Sequence, residues 1–267
     1  MISITSRSNP KVKQARLLRQ HKARQSSGLF LVEGIRHVGE AVEAGASIEA
    51  LYYAPDLLKS EFGRQLVESQ DQTGTPCYAL TPEVFASLAE KENPQGILAV
   101  VRQKPARLEQ LNPHNFDWGV ALVSPQDPGN LGTVLRAIDS TGASGLILLD
   151  DSVDPYHPNA VRASMGTLFW YPVASASFSE FARWASGYGY HIYGTSAHAD
   201  LDYRKVNTYL RPRILLMGSE REGLTPQQAT VCEQLVCLPM RGRATSLNLG
   251  VATGIFLYAM LAQDPPL

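Results

Sequence analysis

Three short, unbroken apolar runs constrain this chain most: V-A-L-V at Val120–Val123, L-I-L-L at Leu146–Leu149 and I-L-L-M at Ile214–Met217. Runs of this kind belong to strands buried on both faces, as in parallel sheets. Helical patterns lie between them. From about Asn130, the residues Leu131, Val134, Leu135 and Ile138 recur at the i, i+3, i+4, i+7 spacing of a core-facing stripe, and Arg136 falls roughly opposite it. Val161–Thr167, an apolar edge at Tyr171–Ala174, a helix at Glu180–Ser186 and a strand at His191–Gly194 continue the alternation. Strands alternating with helices predict a parallel sheet covered on both faces. Ligands of such sheets gather beyond the carboxyl ends of the strands. Three turns fit that place: Asp127–Asn130, Gly218–Leu224 and Pro239–Asn248.

The first hundred residues alternate on a smaller scale. Strands are expected at Leu29–Val32, Ile48–Tyr53, Cys77–Leu80 and Ile97–Val101, and helices at Ile35–Ala44, Glu61–Ser69 and Pro82–Ala89, which makes a compact α/β unit. Arg102–Asp117 is polar, carries Pro105 and Pro113 and has no hydrophobic period, so it reads as a linker. At 267 residues the chain has room for two domains of about 100–200 residues. The expected division is 1–103, a linker at 104–117, and 118–267.

A formal net charge of −1 argues against a generally polybasic nucleic-acid binder, yet charge is unevenly placed. From Met1 to Gln25 there are seven Lys or Arg and no acid. Asn9 and Pro10 supply an N-cap and a favoured first helical residue, predicting a basic helix from Pro10 to Arg24. Lys11, Lys13, Arg16 and Arg19 on it are candidate contacts for RNA phosphates; a solvated surface helix is the bland alternative. Cys77, Cys232 and Cys237 are odd in number and lack metal-ligand spacing, which points to a reduced, cytoplasmic interior. Ala244–Gln263 carries no charge and contains Gly250 and Gly254 as G-x-x-x-G, but Asn248 and the lack of a second such span favour a buried helix over a membrane span. The same glycines would let another helix approach closely.

Neither G-x-G-x-x-G nor a Walker-type G-K-[ST] is present, a hydrolase nucleophile elbow is missing, and the six histidines are scattered, so metal catalysis is not suggested. The three turns carry N-L-G-T-V-L-R at Asn130–Arg136, M-G-S-E-R-E-G-L at Met217–Leu224 and L-P-M-R-G-R-A-T-S-L-N at Leu238–Asn248. In this order they resemble the three motifs of the SpoU–TrmH family of RNA ribose 2′-O-methyltransferases, within the SPOUT class. V-R-A-S-M-G-T at Val161–Thr167 adds to the likeness, and V-E-G at Val32–Gly34 is similar to the start of that family's substrate-binding domain.

The resemblance implies an S-adenosylmethionine-dependent enzyme with a small N-terminal α/β substrate-binding domain and a C-terminal parallel-sheet SPOUT domain tied in a trefoil knot. It implies a homodimer with no metal, acting on RNA, with rRNA favoured over tRNA; a tRNA enzyme and a catalytically silent RNA-binding protein are the alternatives. By the same resemblance Asn130, Arg136, Glu220, Ser246 and Asn248 are catalytic. Thr195, Gly218, Leu238, Met240 and Leu247 lie around the cofactor. From the residues alone Asn130 and Ser246 are also plausible helix caps, and Ser246 is placed to cap the apolar helix that follows it.

Overall fold

The computed structural model describes residues 2–265. The chain up to Lys104, together with Tyr156–Trp170, forms one compact unit, and Pro105–Pro155 with the chain from Tyr171 onward forms the other. The expected contiguous division is therefore interrupted: Tyr156–Trp170, with its V-R-A-S-M-G-T string, packs with the first unit. Rings account for it. Phe30, 1 % exposed, meets Tyr156 at 4.7 Å and Phe169 at 6.2 Å between centroids.

The first unit runs β1 (Ile2–Ile4), α1 (Pro10–Leu17), α2 (His21–Ser27), β2 (Leu29–Glu33), α3 (Ile35–Glu43), β3 (Ile48–Tyr53), α4 (Glu61–Gln72), β4 (Cys77–Leu80), α5 (Pro82–Ala86) and β5 (Ile97–Arg102). Its five-stranded sheet has the order β1-β4-β3-β5-β2, in which β1, β4 and β3 are parallel while β5 runs antiparallel to both β3 and β2. Asn9 caps α1 as expected, its side chain accepting from the Lys11 N–H.

The single basic helix expected over Pro10–Arg24 is two helices. Buried Arg24 donates to the carbonyls of Leu18 and Arg19, where α1 ends, so a guanidinium does the work of the next helical turn. Arg16 donates to the Ser87 hydroxyl and Arg19 to the carbonyls of Leu88 and Ala89. Of the four candidate RNA contacts, Lys11 and Lys13 are exposed, while Arg16 and Arg19 brace the end of α5.

The second unit begins earlier than expected. Leu108, Leu111 and Phe116 are buried in its core, and Ala106 bridges to Ala174, so the stretch read as a linker is part of the packing. Three apolar residues at irregular spacing leave no periodic trace in a polar stretch. The elements are β6 (Trp118–Val123), α6 (Pro128–Thr141) and β7 (Gly145–Leu149). After α7 (Pro158–Ala163), which belongs to the first unit, come β8 (Val173–Ala176), α8 (Phe178–Gly187), β9 (His191–Thr195), β10 (Leu201–Asp202), β11 (Arg213–Met217), α9 (Pro226–Ala229), β12 (Gln234–Cys237) and α10 (Leu249–Leu261).

All seven strands are parallel, in the order β10-β12-β9-β11-β6-β7-β8. β6, β7 and β11 are buried at every residue, as unbroken apolar runs require. α10 packs along α6. A Cβ at Gly250 would lie 2.7–2.8 Å from Thr133, whereas one at Gly254 would meet only Ala137 at 3.9 Å. One glycine of the G-x-x-x-G pair thus serves the close approach.

The chain beyond α10 is fastened to the amino end of β11. Fully buried Arg213 and half-exposed Arg211 both reach the Asp264 carboxylate, at 2.6 and 2.8 Å, and Arg211 also pairs with Asp117. The two guanidinium groups lie 4.2 and 5.2 Å from the Trp118 ring centre.

Candidate active site

With every strand of the second sheet parallel, the carboxyl ends share one edge, and adjacent β12, β9, β11 and β6 deliver the three motifs to it. Registers bring them level: Val236 pairs with Thr195, Gly194 with Leu216, and Met217 with Leu122. Thr195, Gly218 and Leu238, called from separate parts of the sequence, therefore sit at or just beyond the ends of three neighbouring strands.

The first motif enters α6 from the turn after β6. Asp127 caps the helix, its Oδ1 accepting the Gly129 N–H at 2.6 Å, and Pro128 takes the first helical position. The helix thus starts two residues before Asn130, which is not a cap. The Asn130 side chain, 9 % exposed, does something else. Its Nδ2 donates to Glu220 Oε1 at 3.1 Å, and its Oδ1 accepts from Asn248 Nδ2 at 2.7 Å.

Asn248 in turn uses Oδ1 to accept the Gly250 and Val251 N–H groups at 3.0 and 3.3 Å, and it caps α10. Ser246, expected in that role, is exposed and two residues outside the helix. Backbone N–H groups only donate, so the Asn248 oxygen must face them. Its amide nitrogen then faces Asn130, and the Asn130 nitrogen faces the carboxylate. The whole relay has one direction. Its far end is also anchored, because Glu220 Oε2 accepts the Gln126 N–H at 3.2 Å. Gln126 was missed as a site residue; its side chain holds the turn by donating to the carbonyls of Ser124 and Asp151, a contact without any sequence signature.

Around Gly218 the second motif folds back on itself. Ser219 and Gly223 exchange backbone hydrogen bonds of 3.1 and 3.0 Å, and a Cβ on Gly218 would lie 2.1 Å from the Gly223 carbonyl carbon. No side chain fits there, so glycine is what lets the turn close on itself. The third motif is a different kind of surface. Among the described residues, nothing in 239–247 makes a hydrogen bond, either from backbone or side chain. Free N–H and C=O groups beside partly buried Leu238 and Met240, with Leu247 39 % exposed, suit an adenine, which needs apolar faces and edge hydrogen bonds together.

Arg136 is exposed on α6, and among the described residues its guanidinium has no hydrogen bond or ion pair. Six residues on from Asn130, it stands on another face of the helix, and the relay does not include it. Nor does it include Ser246. Among the described residues no group of three His, Cys, Asp or Glu side chains is placed to hold a metal ion.

Residues 117–258 match the SpoU rRNA Methylase family, more than half of the chain. The chain belongs to the SpoU family. Residues 9–99 match the MRM3-like substrate binding domain. Among SpoU relatives, a 23S rRNA (uridine(2479)-2′-O)-methyltransferase of Streptomyces viridochromogenes is 34 % identical, over 97 % of this chain and 92 % of its own. A 23S rRNA (guanosine(2553)-2′-O)-methyltransferase of Bacillus subtilis is 29 % identical, over 97 % and 98 %. The AdoMet-bound rRNA methyltransferase of Sinorhizobium meliloti superposes with a TM-score of 0.88 at 35 % identity, covering 97 % of this chain and 96 % of that one. The SpoU fold class carries the trefoil knot expected from the resemblance.

Proposed function

We propose that this chain transfers a methyl group from S-adenosylmethionine to a ribose 2′-hydroxyl of ribosomal RNA. The observation that carries the reading is the one-way relay from Glu220 through Asn130 to Asn248, which joins all three motifs at the strand ends beside a loop of unpaired backbone groups. When bound, the sulfonium cofactor supplies an electrophilic methyl group. The residues of 239–247, with Thr195, Gly218 and Leu238, would hold its adenosine part, with Met240 and Leu247 as apolar neighbours.

Asn130, Glu220 and Asn248 act by position. They fix the first and third motifs against the second, so that the ribose and the methyl donor meet aligned, an effect able to remove several kcal/mol from a barrier. Arg136 works otherwise. A guanidinium with pKa above about 12 stays charged, so its part is to clamp the target phosphate and stabilise developing alkoxide charge. Ser246, exposed and, among the described residues, unpaired, would offer its hydroxyl to the substrate as a donor.

The working form is a homodimer. Val251 and Tyr258, one heptad apart on α10, are 50 % and 53 % exposed, and such an apolar stripe calls for a partner surface. Lys11 and Lys13 add phosphate contacts in the first unit. Among the described residues no helix is long and apolar enough to cross a membrane.

Methyl transfer from labelled S-adenosylmethionine to 23S rRNA and to tRNA, side by side, tests the proposal, with Arg136→Ala as control. Label in rRNA that is lost in the variant is the expected result. Label in tRNA alone selects the tRNA enzyme, and absence of cofactor binding selects a silent RNA-binding protein.

A further inference from the structure

Glu220 is exposed, so water competes for its carboxylate, yet both oxygens are claimed by the protein. Asn130 Nδ2 donates to Oε1 at 3.1 Å and the Gln126 N–H to Oε2 at 3.2 Å. Two fixed donors set the plane of a carboxylate, whereas one leaves it free to swing. Asn130 is buried on a helix of 14 residues, which fixes the first donor. The second stands on an exposed turn, and whatever holds that turn decides whether the carboxylate is held at both ends.

The backbone of this turn is strained. Ser124 has φ +45° and Asp150 φ +57°, left-handed values uncommon outside glycine, just past the ends of the paired strands β6 and β7. Such a backbone persists where its surroundings over-determine it. Here the Gln126 side chain does much of that. Its Nε2 donates to the Ser124 carbonyl at 3.0 Å and to the Asp151 carbonyl at 2.9 Å, one from the turn after each strand. Carbonyls only accept, so the amide nitrogen must face them and spend both of its hydrogens there. The Val153 N–H adds a tie between the same two turns, donating to the Pro125 carbonyl at 2.9 Å.

We propose that Gln126 is a positioning residue for methyl transfer. Its carboxamide ties the β6 turn to the β7 turn and so fixes the peptide N–H that keeps Glu220 in place, and through Glu220 the amides of Asn130 and Asn248. The side chain acts through Glu220 rather than on either reactant. Its effect therefore falls on the rate of the chemical step, where alignment counts, and not on the capture of cofactor or RNA. The inference rests on the reading of the chain as an RNA methyltransferase.

Single-turnover methyl transfer to 23S rRNA with enzyme in excess, measured beside the affinities for S-adenosylmethionine and for that RNA, tests it. Gln126→Met keeps the length and the backbone N–H but donates nothing from its side chain; Gln126→Glu sets a second acceptor against two carbonyls. Each should slow transfer about tenfold or more while both affinities stay within about twofold. In a Glu220→Ala background, Gln126→Met should cost less than about twofold further, because the N–H then has no carboxylate to hold. A readout without catalysis is amide exchange at residue 126, followed by NMR. Corrected for intrinsic rates, it should speed up about tenfold or more in Gln126→Met and in Glu220→Ala. Unchanged transfer in both single variants, a second full loss in the Glu220→Ala background, or unchanged exchange would overturn the proposal. Should Gln126→Met lose its thermal transition, Gln126→Glu decides. A wild type that neither binds cofactor nor transfers methyl sinks the enzyme reading, and the exchange comparison then decides alone whether the carboxamide sets the turn.

Discussion

Asn248 has two jobs that a single substitution can divide. Serine at this position keeps an oxygen to cap α10 but has no amide to offer Asn130. Asn248→Ser should therefore melt within a degree or two of the wild type yet lose methyl transfer, by about tenfold or more if the relay's alignment is what the site depends on. Asn248→Ala loses both and should also cost about 1 kcal/mol of stability, read from chemical denaturation. A serine variant with full turnover would reduce Asn248 to a cap. The sequence offered Ser246 for that cap, and the structure gives it to Asn248. Which one wins is decided by where Leu249 and Gly250 settle against α6, and propensity does not contain that information.

At the scale of elements, α10 and α6 are held at the distance set by Gly250. Gly250→Ala pushes a methyl group to within 2.7–2.8 Å of Thr133, so one helix must shift. A loss of about 1–3 kcal/mol is expected in urea unfolding, with cofactor affinity falling too, because Asn248 moves with the helix it caps. Gly254→Ala, with ordinary contact only to Ala137, should be close to neutral and serves as the control. The strands at the centre of both sheets were legible because unbroken apolar runs admit few other fates. β1 and β10, three and two residues long, were not, since a strand so short is made by its neighbour's hydrogen bonds rather than by its own composition. The break between α1 and α2 was hidden for a related reason: Arg24 reads as one more surface cation until its burial is seen.

For the whole molecule, the fastening at Asp264 makes a prediction about acid. Burial alone would raise the Asp264 carboxyl, but hydrogen bonds from Arg211 and Arg213 outweigh it and hold it below the usual range. A carboxyl lowered on folding contributes stability that is full above its unfolded value, about pH 4, and is lost as pH falls through the folded value. Asp264→Ala should cost about 3–5 kcal/mol near neutrality, since it strands Arg213 in the interior, and the gap from wild type should narrow as pH drops below about 4. A gap independent of pH would mean that packing, rather than charge, holds the chain end. The motif residues were readable in sequence as a set, but the partnership of Asn130 with both Glu220 and Asn248 was not, because it spans residues 90 and 118 positions apart.

The interruption of the first unit by about a third of the second has a consequence for how the protein is made. A ribosome delivers residues in order, and a domain generally folds once its own stretch has emerged. Here the first hundred residues emerge without Tyr156 and Phe169, and Phe30 must wait, uncovered, until β6, α6 and β7 have followed it out. The nascent amino-terminal half is thus a candidate client for chaperones over that interval. Chains released before Tyr156 and after Trp170 should differ sharply in resistance to proteolysis within β2, which makes a late-arriving segment of about fifteen residues the timer for the folding of everything ahead of it.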